Sequence, residues 1–157
     1  MDRAHQLSSR VTTSTKLRKN HLSQDEDWGS RIGDGDTWRT LTNDEWTYLL
    51  TNHSCKSASL NGVNGYVIAP DGFSGELAES YDDAALATDK LVFLPVAGFR
   101  GGLMVSLVGD SGFYWSSSAK DSNRAYCIMF LSGFSAAPVD DFRDYGYSVR
   151  LVTDVAE

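Results

Sequence analysis

The sequence predicts a mixed fold of short β-strands with two short helices, and three observations predict it. Fourteen Gly, seven Tyr, seven Phe and four Trp in 157 residues point to many turns and short strands rather than long helices. One stretch, "TNDEWTYLL" from Thr42, carries a complete helix-start pattern. From Gly112 onward, "GFYWSSS", "AYCIMFL" and "YSVRLV" read as three short β segments separated by polar or glycine-containing connections.

Taken in order, "DWGSRIGDGD" over 27–36 reads as turns. Thr42 followed by Glu45 is a capping box: the Thr oxygen takes an orphan helix amide while Glu reaches back. Leu41 and Trp46 are spaced for a hydrophobic staple, and Trp46, Leu49 and Leu50 share one side of a helix over roughly 42–52. Gly62, Gly65 and Pro70-Asp71-Gly72 mark turns around an apolar strand at 66–69. A short helix is expected near 82–89. The continuous apolar run at 91–96 predicts a buried strand edged by Pro95, and 104–108 is a further strand candidate. In "AYCIMFL", Tyr126, Ile128 and Phe130 form one row and Cys127, Met129 and Leu131 the other. Both rows are apolar, so the strand is either covered on both sides or shows one row to a partner. Trp46, Leu49, Leu91, Phe93, Trp115, Tyr126, Ile128, Phe130, Val149 and Leu151 are expected in one core.

Length allows one domain, able to bury about 68% of its unfolded surface. The net charge of −7 is uneven: residues 1–24 hold five Lys or Arg against one Asp, and residues 25–157 hold nine against twenty. Residues 1–26 therefore read as a poorly structured basic leader and 27–157 as the domain. An acidic body repels phosphate backbones, so no nucleic-acid partner is expected. No run of 18 apolar residues occurs, which predicts no membrane span, and the leader lacks the apolar segment of a secretory signal. Cys55 and Cys127 could form one disulfide, but their spacing does not require it.

The search for chemistry yields little. No phosphate-binding glycine loop occurs. His5, His21 and His53 form no metal-ligand spacing, and His53 has no nucleophile elbow to serve. Asp34, Asp36, Asp82, Asp83, Asp140, Asp141 and Asp144 raise the thought of calcium, but "GDGDTW" lacks the spacing and distal Glu of an EF-hand. No catalytic residue, metal ligand or cofactor is therefore expected, apart from structural calcium held by turn carboxylates.

Five stretches in order, "DTWRTLTNDEWTYLL", "NGVNGYVIAPDGF", "LVFLPVAGFR", "GFYWSSSAKDSNRAY" and "GYSVRLV", resemble the Fibrobacter succinogenes major paralogous domain family over about 27–155. The resemblance implies a C-type lectin-like α+β fold, two short helices with a twisted antiparallel sheet core. It also implies kinship with variable proteins of diversity-generating retroelements, in which a C-terminal tract is rewritten on a fixed scaffold. Asp121, Ser122, Asn123, Ala125, Tyr126, Phe130, Arg143, Gly146, Ser148, Val149 and Arg150 then match fixed-type positions. Lys120, Arg124, Cys127, Met129, Leu131, Phe134, Ala136, Val139, Asp140, Asp141, Phe142, Asp144, Tyr145 and Tyr147 fall at variable-type, ligand-binding positions within about 114–150. The short basic leader departs from the longer N-terminal region usual in the family.

The resulting expectation is a non-enzymatic domain that recognises a protein or cell-surface ligand, on an extracellular surface, a cell surface or a phage virion. Arg124, Met129, Leu131, Phe134, Phe142 and Tyr145 should then share one face. Two alternatives stand beside it. One is a glycan-binding lectin using calcium or an aromatic platform. The other is an enzyme related to the formylglycine-generating proteins, which would need a reactive cysteine centre.

Overall fold

The computed structural model of the chain describes residues 38–153; the leader expected over 1–26 and the acidic turn with Asp34 and Asp36 lie outside them. In chain order the elements are β1 (Trp38–Thr40), α1 (Asn43–Asn52), β2 (Cys55–Leu60), β3 (Val63–Ile68), β4 (Ser80–Tyr81), α2 (Asp83–Thr88), β5 (Val92–Pro95), β6 (Phe99–Gly101), β7 (Met104–Ser106), β8 (Ser111–Ala119), β9 (Arg124–Leu131), β10 (Ala137–Phe142) and β11 (Leu151–Thr153). The strands make sheets β4-β2-β3-β5 and β10-β9-β8 with two small pairs, β1-β11 and β6-β7. Pairing is antiparallel apart from β2 with β4. Helices and antiparallel strands are mixed in an α+β arrangement.

Helix α1 starts where the capping box places it. Thr42 Oγ1 accepts from Glu45 N at 3.2 Å, and Glu45 Oε2 accepts from Thr42 N at 2.8 Å. Arg39 Nη1 donates to the same carboxylate at 2.8 Å. The guanidinium is the first cause holding Glu45 below its ordinary pKa, and the bonds from Thr42 add to it. Leu41 and Trp46 meet in one buried cluster, as the staple requires. The second helix begins at Asp82, whose side chain accepts from Ala85 N at 2.8 Å.

Strand β3 shows why a continuous apolar run is needed. Tyr66 and Ile68 point into a cluster with Leu41, Trp46, Leu94, Val96, Tyr114, Ile128 and Phe130. Val67 and Ala69 point the other way, onto Ala58, Leu77, Tyr81, Leu86 and Leu91. Both faces are covered, as period-two alternation in a sandwiched strand demands. Hairpin β2–β3 turns on Asn61 and Gly62, both at positive φ (49° and 81°), the left-handed pair that a tight two-residue hairpin requires.

Among the described residues, the expected single core divides into three clusters. Trp46, Ile128 and Phe130 lie in the first with Leu49 packed against it; Leu91 lies in the second with Phe93 against it. Trp115 packs on a third, formed by Phe113, Cys127 and Tyr147. The β8-β9-β10 sheet separates the first cluster from the third, so one row of β9 cannot reach the other. Tyr126, Val149 and Leu151 are only half-buried, and it is Val152 that packs on the first cluster.

Candidate binding surface

Register sorts the candidate residues, because Cα partners in an antiparallel ladder point to the same face. Phe113, Met129 and Ala137 are level with one another, as are Trp115, Cys127 and Val139. Ala125 is level with Asp141, and Ser111 with Leu131. These rows form the face turned away from the first cluster. The even rows, Tyr114 with Ile128 and Pro138, Tyr126 with Asp140 and Arg124 with Phe142, belong to the face that carries α1 and the first cluster.

The odd face is an aromatic surface. After β10 the chain turns back beside β8, fixed by Trp115 N to Ser148 O at 2.9 Å and Ser148 N to Phe113 O at 3.0 Å. Tyr147 therefore lies against Trp115 (ring centroids 4.5 Å apart), Phe113 (4.9 Å) and Tyr145 (5.8 Å). Phe99 closes edge-on against Phe113 and Tyr145. Phe113, Cys127 and Tyr147 are buried; Phe99, Trp115, Met129, Val139 and Tyr145 are half-buried over them. Tyr147 Oη donates to Asp141 Oδ2 at 2.6 Å. Burial first, then this carboxylate, pushes the phenol far above its ordinary range. Burial also pushes the Cys127 thiol up to about 12. Both cysteines are free.

At the far edge of the opposite face sits a charged group. Asp140 takes Lys120 Nζ at 2.5 Å and Arg124 Nε at 3.0 Å, and the Arg124 guanidinium lies 5.0 Å from the Phe142 ring centroid. Phe142 is exposed. The β9–β10 turn is a third location. Ser57 Oγ donates to Phe134 O at 3.3 Å and accepts from Gly133 N at 3.2 Å, leaving the Phe134 ring in solvent. Ala136 packs against the first cluster. Asp144 is exposed in the turn after β10.

The expectation that Arg124, Met129, Leu131, Phe134, Phe142 and Tyr145 share one face is therefore overturned. Met129, Leu131 and Tyr145 belong to the odd face, Arg124 and Phe142 to the other, and Phe134 to the turn. The physical reason is parity: Arg124 and Met129 are an odd number of residues apart on one strand, so their side chains diverge. Cys127 and Tyr147 are corrected too. At 1% and 4% exposure they form the floor of the aromatic face rather than its rim.

Four features went unread in the sequence. The serines of "YWSSS" form a bulge in β8 between Trp115 and Ala119. Ser116 Oγ donates to Tyr126 O at 2.8 Å, and Ser118 Oγ accepts from Asn43 N, the first amide of α1, at 2.9 Å. β10, "APVDDF", was hidden by its proline and paired acids, and β2, "CKSASL", by its polarity. Phe99 completes the aromatic surface from outside the variable-type tract, and no local spacing links it to Tyr145. His53, at the end of α1, has Nδ1 at 2.9 Å from Ala69 O and Nε2 at 3.4 Å from Asp71 Oδ1, a junction between helix and strand. Among the described residues no group of three or more His, Cys, Asp or Glu could hold a metal ion, and no helix is long and apolar enough to cross a membrane. Compared with protein-family models, curated proteins and solved structures, the chain matches none.

Proposed function

We propose that the chain is a non-enzymatic recognition domain of C-type lectin-like fold, and that its binding surface is the odd face of β8-β9-β10. One observation carries this reading: the sheet is packed by α1 on one face, whereas the other presents half-buried Trp115, Met129, Val139 and Tyr145 over a buried aromatic floor. A sheet held by one row can vary the other without losing register, and aromatic and Met side chains are suited to anchoring a partner. The diversified tract implied by the family resemblance fits this division when restricted to Met129, Leu131, Val139, Asp141 and Tyr145. The partner is a protein or other cell-surface ligand met outside the cell or on a virion. The thiols support a non-catalytic role, since burial raises Cys55 to about 11 and Cys127 to about 12, leaving neither activated as a nucleophile.

The test is a displayed library randomised at Met129, Leu131, Val139 and Tyr145, sorted first for folding and then on a purified bait protein. Most members should fold, and the bait should recover binders whose specificity follows these four positions. Loss of folding across most of the library would show the face to be core and end this reading. Selected binders insensitive to the four positions would end it equally.

A further inference from the structure

Asp140 and Asp141 are neighbours on β10 whose side chains part to opposite faces. Asp140 has two counter-ions, Lys120 and Arg124. Asp141 has none: among the described residues no ion pair reaches it, and its oxygens accept from Tyr147 Oη at 2.6 Å and Phe142 N at 2.8 Å. Arginines on adjoining segments are turned elsewhere. Arg143 gives its Nε to Arg124 O at 3.1 Å, and Arg100 gives its Nε to Gly102 O at 3.0 Å. The Asp141 carboxylate is half-buried, so its charge is partly desolvated and unanswered, and its remaining lone pairs can take further donors. Register puts this carboxylate beside aromatic rings. Asp141 is level with Ala125, two residues along β9 from Cys127, which is level with Trp115. The step is about 7 Å, and Ala125 contributes only a methyl group to it. Tyr147, bonded to Asp141 through its hydroxyl, stacks on Trp115 and runs parallel to Tyr145, their ring planes 2° apart. Trp115 and Tyr145 are both half-buried.

We propose, on the strength of the binding surface assigned above, that this face takes an arginine side chain of a protein partner, its guanidinium donating to Asp141 and lying against the rings of Trp115 and Tyr145. Charge complementarity favours a cation. Residues 25–157 hold nine Lys or Arg against twenty acids, a field that draws cations in and turns anions away. Two properties favour guanidinium over ammonium. Its plane stacks on aromatic rings while its fork donates to a carboxylate from the edge. It is also the more weakly hydrated cation, so bringing it to a half-buried carboxylate costs less.

NMR titration of the full, isotope-labelled chain with N-acetyl-arginine amide, up to about 100 mM at constant ionic strength, tests this beside the neutral citrulline analogue of similar shape. The arginine probe should shift the Trp115 indole and Tyr145 ring signals saturably, with a Kd of about 10 mM. The citrulline probe should bind about fivefold more weakly or worse. Asp141→Asn keeps an oxygen for the Tyr147 hydroxyl, so it should fold, and it should weaken the arginine probe about threefold or more. Glu79→Gln, at an exposed acid before β4, should not. If Asp141→Asn unfolds, the two probes on the wild type decide alone. Equal binding of both probes, or an arginine affinity indifferent to Asp141→Asn in a folded variant, overturns the arginine assignment and leaves the face standing as a binding surface. An arginine probe that moves neither Trp115 nor Tyr145 overturns the assignment too, and the displayed library then judges the surface independently.

Discussion

Ile128 and Cys127 are neighbours on β9 that face opposite ways, and both are almost without solvent contact, at 0% and 1% exposure. Ile128 belongs to the cluster that holds α1 to the sheet. Ile128→Ala removes three carbons from a place that cannot collapse without moving Trp46 or Tyr114, so chemical denaturation should show a loss of about 2–5 kcal/mol. Cys127 is buried in one cluster with Phe113 and Tyr147, level with Trp115, and its thiol, pushed up to about 12, stays protonated at neutral pH. Iodoacetamide at pH 8 should leave Cys127 unlabelled in the native protein and label it once denaturant opens the fold, as mass spectrometry of the two samples would show. Rapid labelling of the native protein would mean that the floor of the aromatic face is open. The serines beside Trp115 act at the same scale: Ser116 and Ser118 spend their hydroxyls on strand and helix backbone, so they are scaffold despite their polarity.

Among the elements, α1 was the most readable because its signals are local. Thr42, Glu45, Leu41 and Trp46 lie within six residues, and the capping and staple contacts that start the helix are made among them. Thr42→Ala should cost about 1 kcal/mol. Glu45→Gln should make the acid side of the stability curve shallower. The folded pKa of Glu45 is lowered from 4.5, chiefly by Arg39, so the carboxylate's contribution is present above pH 4.5 and is lost as pH falls through the lower folded value. Wild type and variant should therefore differ at pH 7 and converge in acid, as thermal melts across that range would report. β2, β10 and the 145–149 return were not readable in the same way. Their partners lie elsewhere in the chain: Ser57 meets Tyr66, Val139 meets Cys127 and Ser148 meets Trp115. Alternation in "AYCIMFL" correctly separated its two rows. Which row a distant residue such as Phe142 or Tyr145 would join depended on registers and a chain reversal that carry no local pattern.

For the whole molecule, the β8-β9-β10 sheet is a partition, with helix-backed core on one side and an aromatic surface on the other. This geometry predicts which substitutions speak to one another. Trp115 and Tyr147 stack at 4.5 Å, so a double-mutant cycle of Trp115→Ala with Tyr147→Ala should show a coupling of about 0.5–1.5 kcal/mol. Met129 and Phe142 both fall at variable-type positions. Their level partners on β9, Met129 itself and Arg124, are five residues apart, about 17 Å along the strand, and point to opposite faces. The cycle of Met129→Ala with Phe142→Ala should accordingly be additive to within about 0.5 kcal/mol in stability. Run on binding by a clone selected through the odd face that has kept Met129, Met129→Ala should weaken the complex by about 2 kcal/mol if it sits at the centre of contact, while Phe142→Ala should leave it unchanged. Equal losses from both would mean that one partner wraps the sheet edge and reads both faces, and the surface would then have to be redrawn around β10 rather than across it.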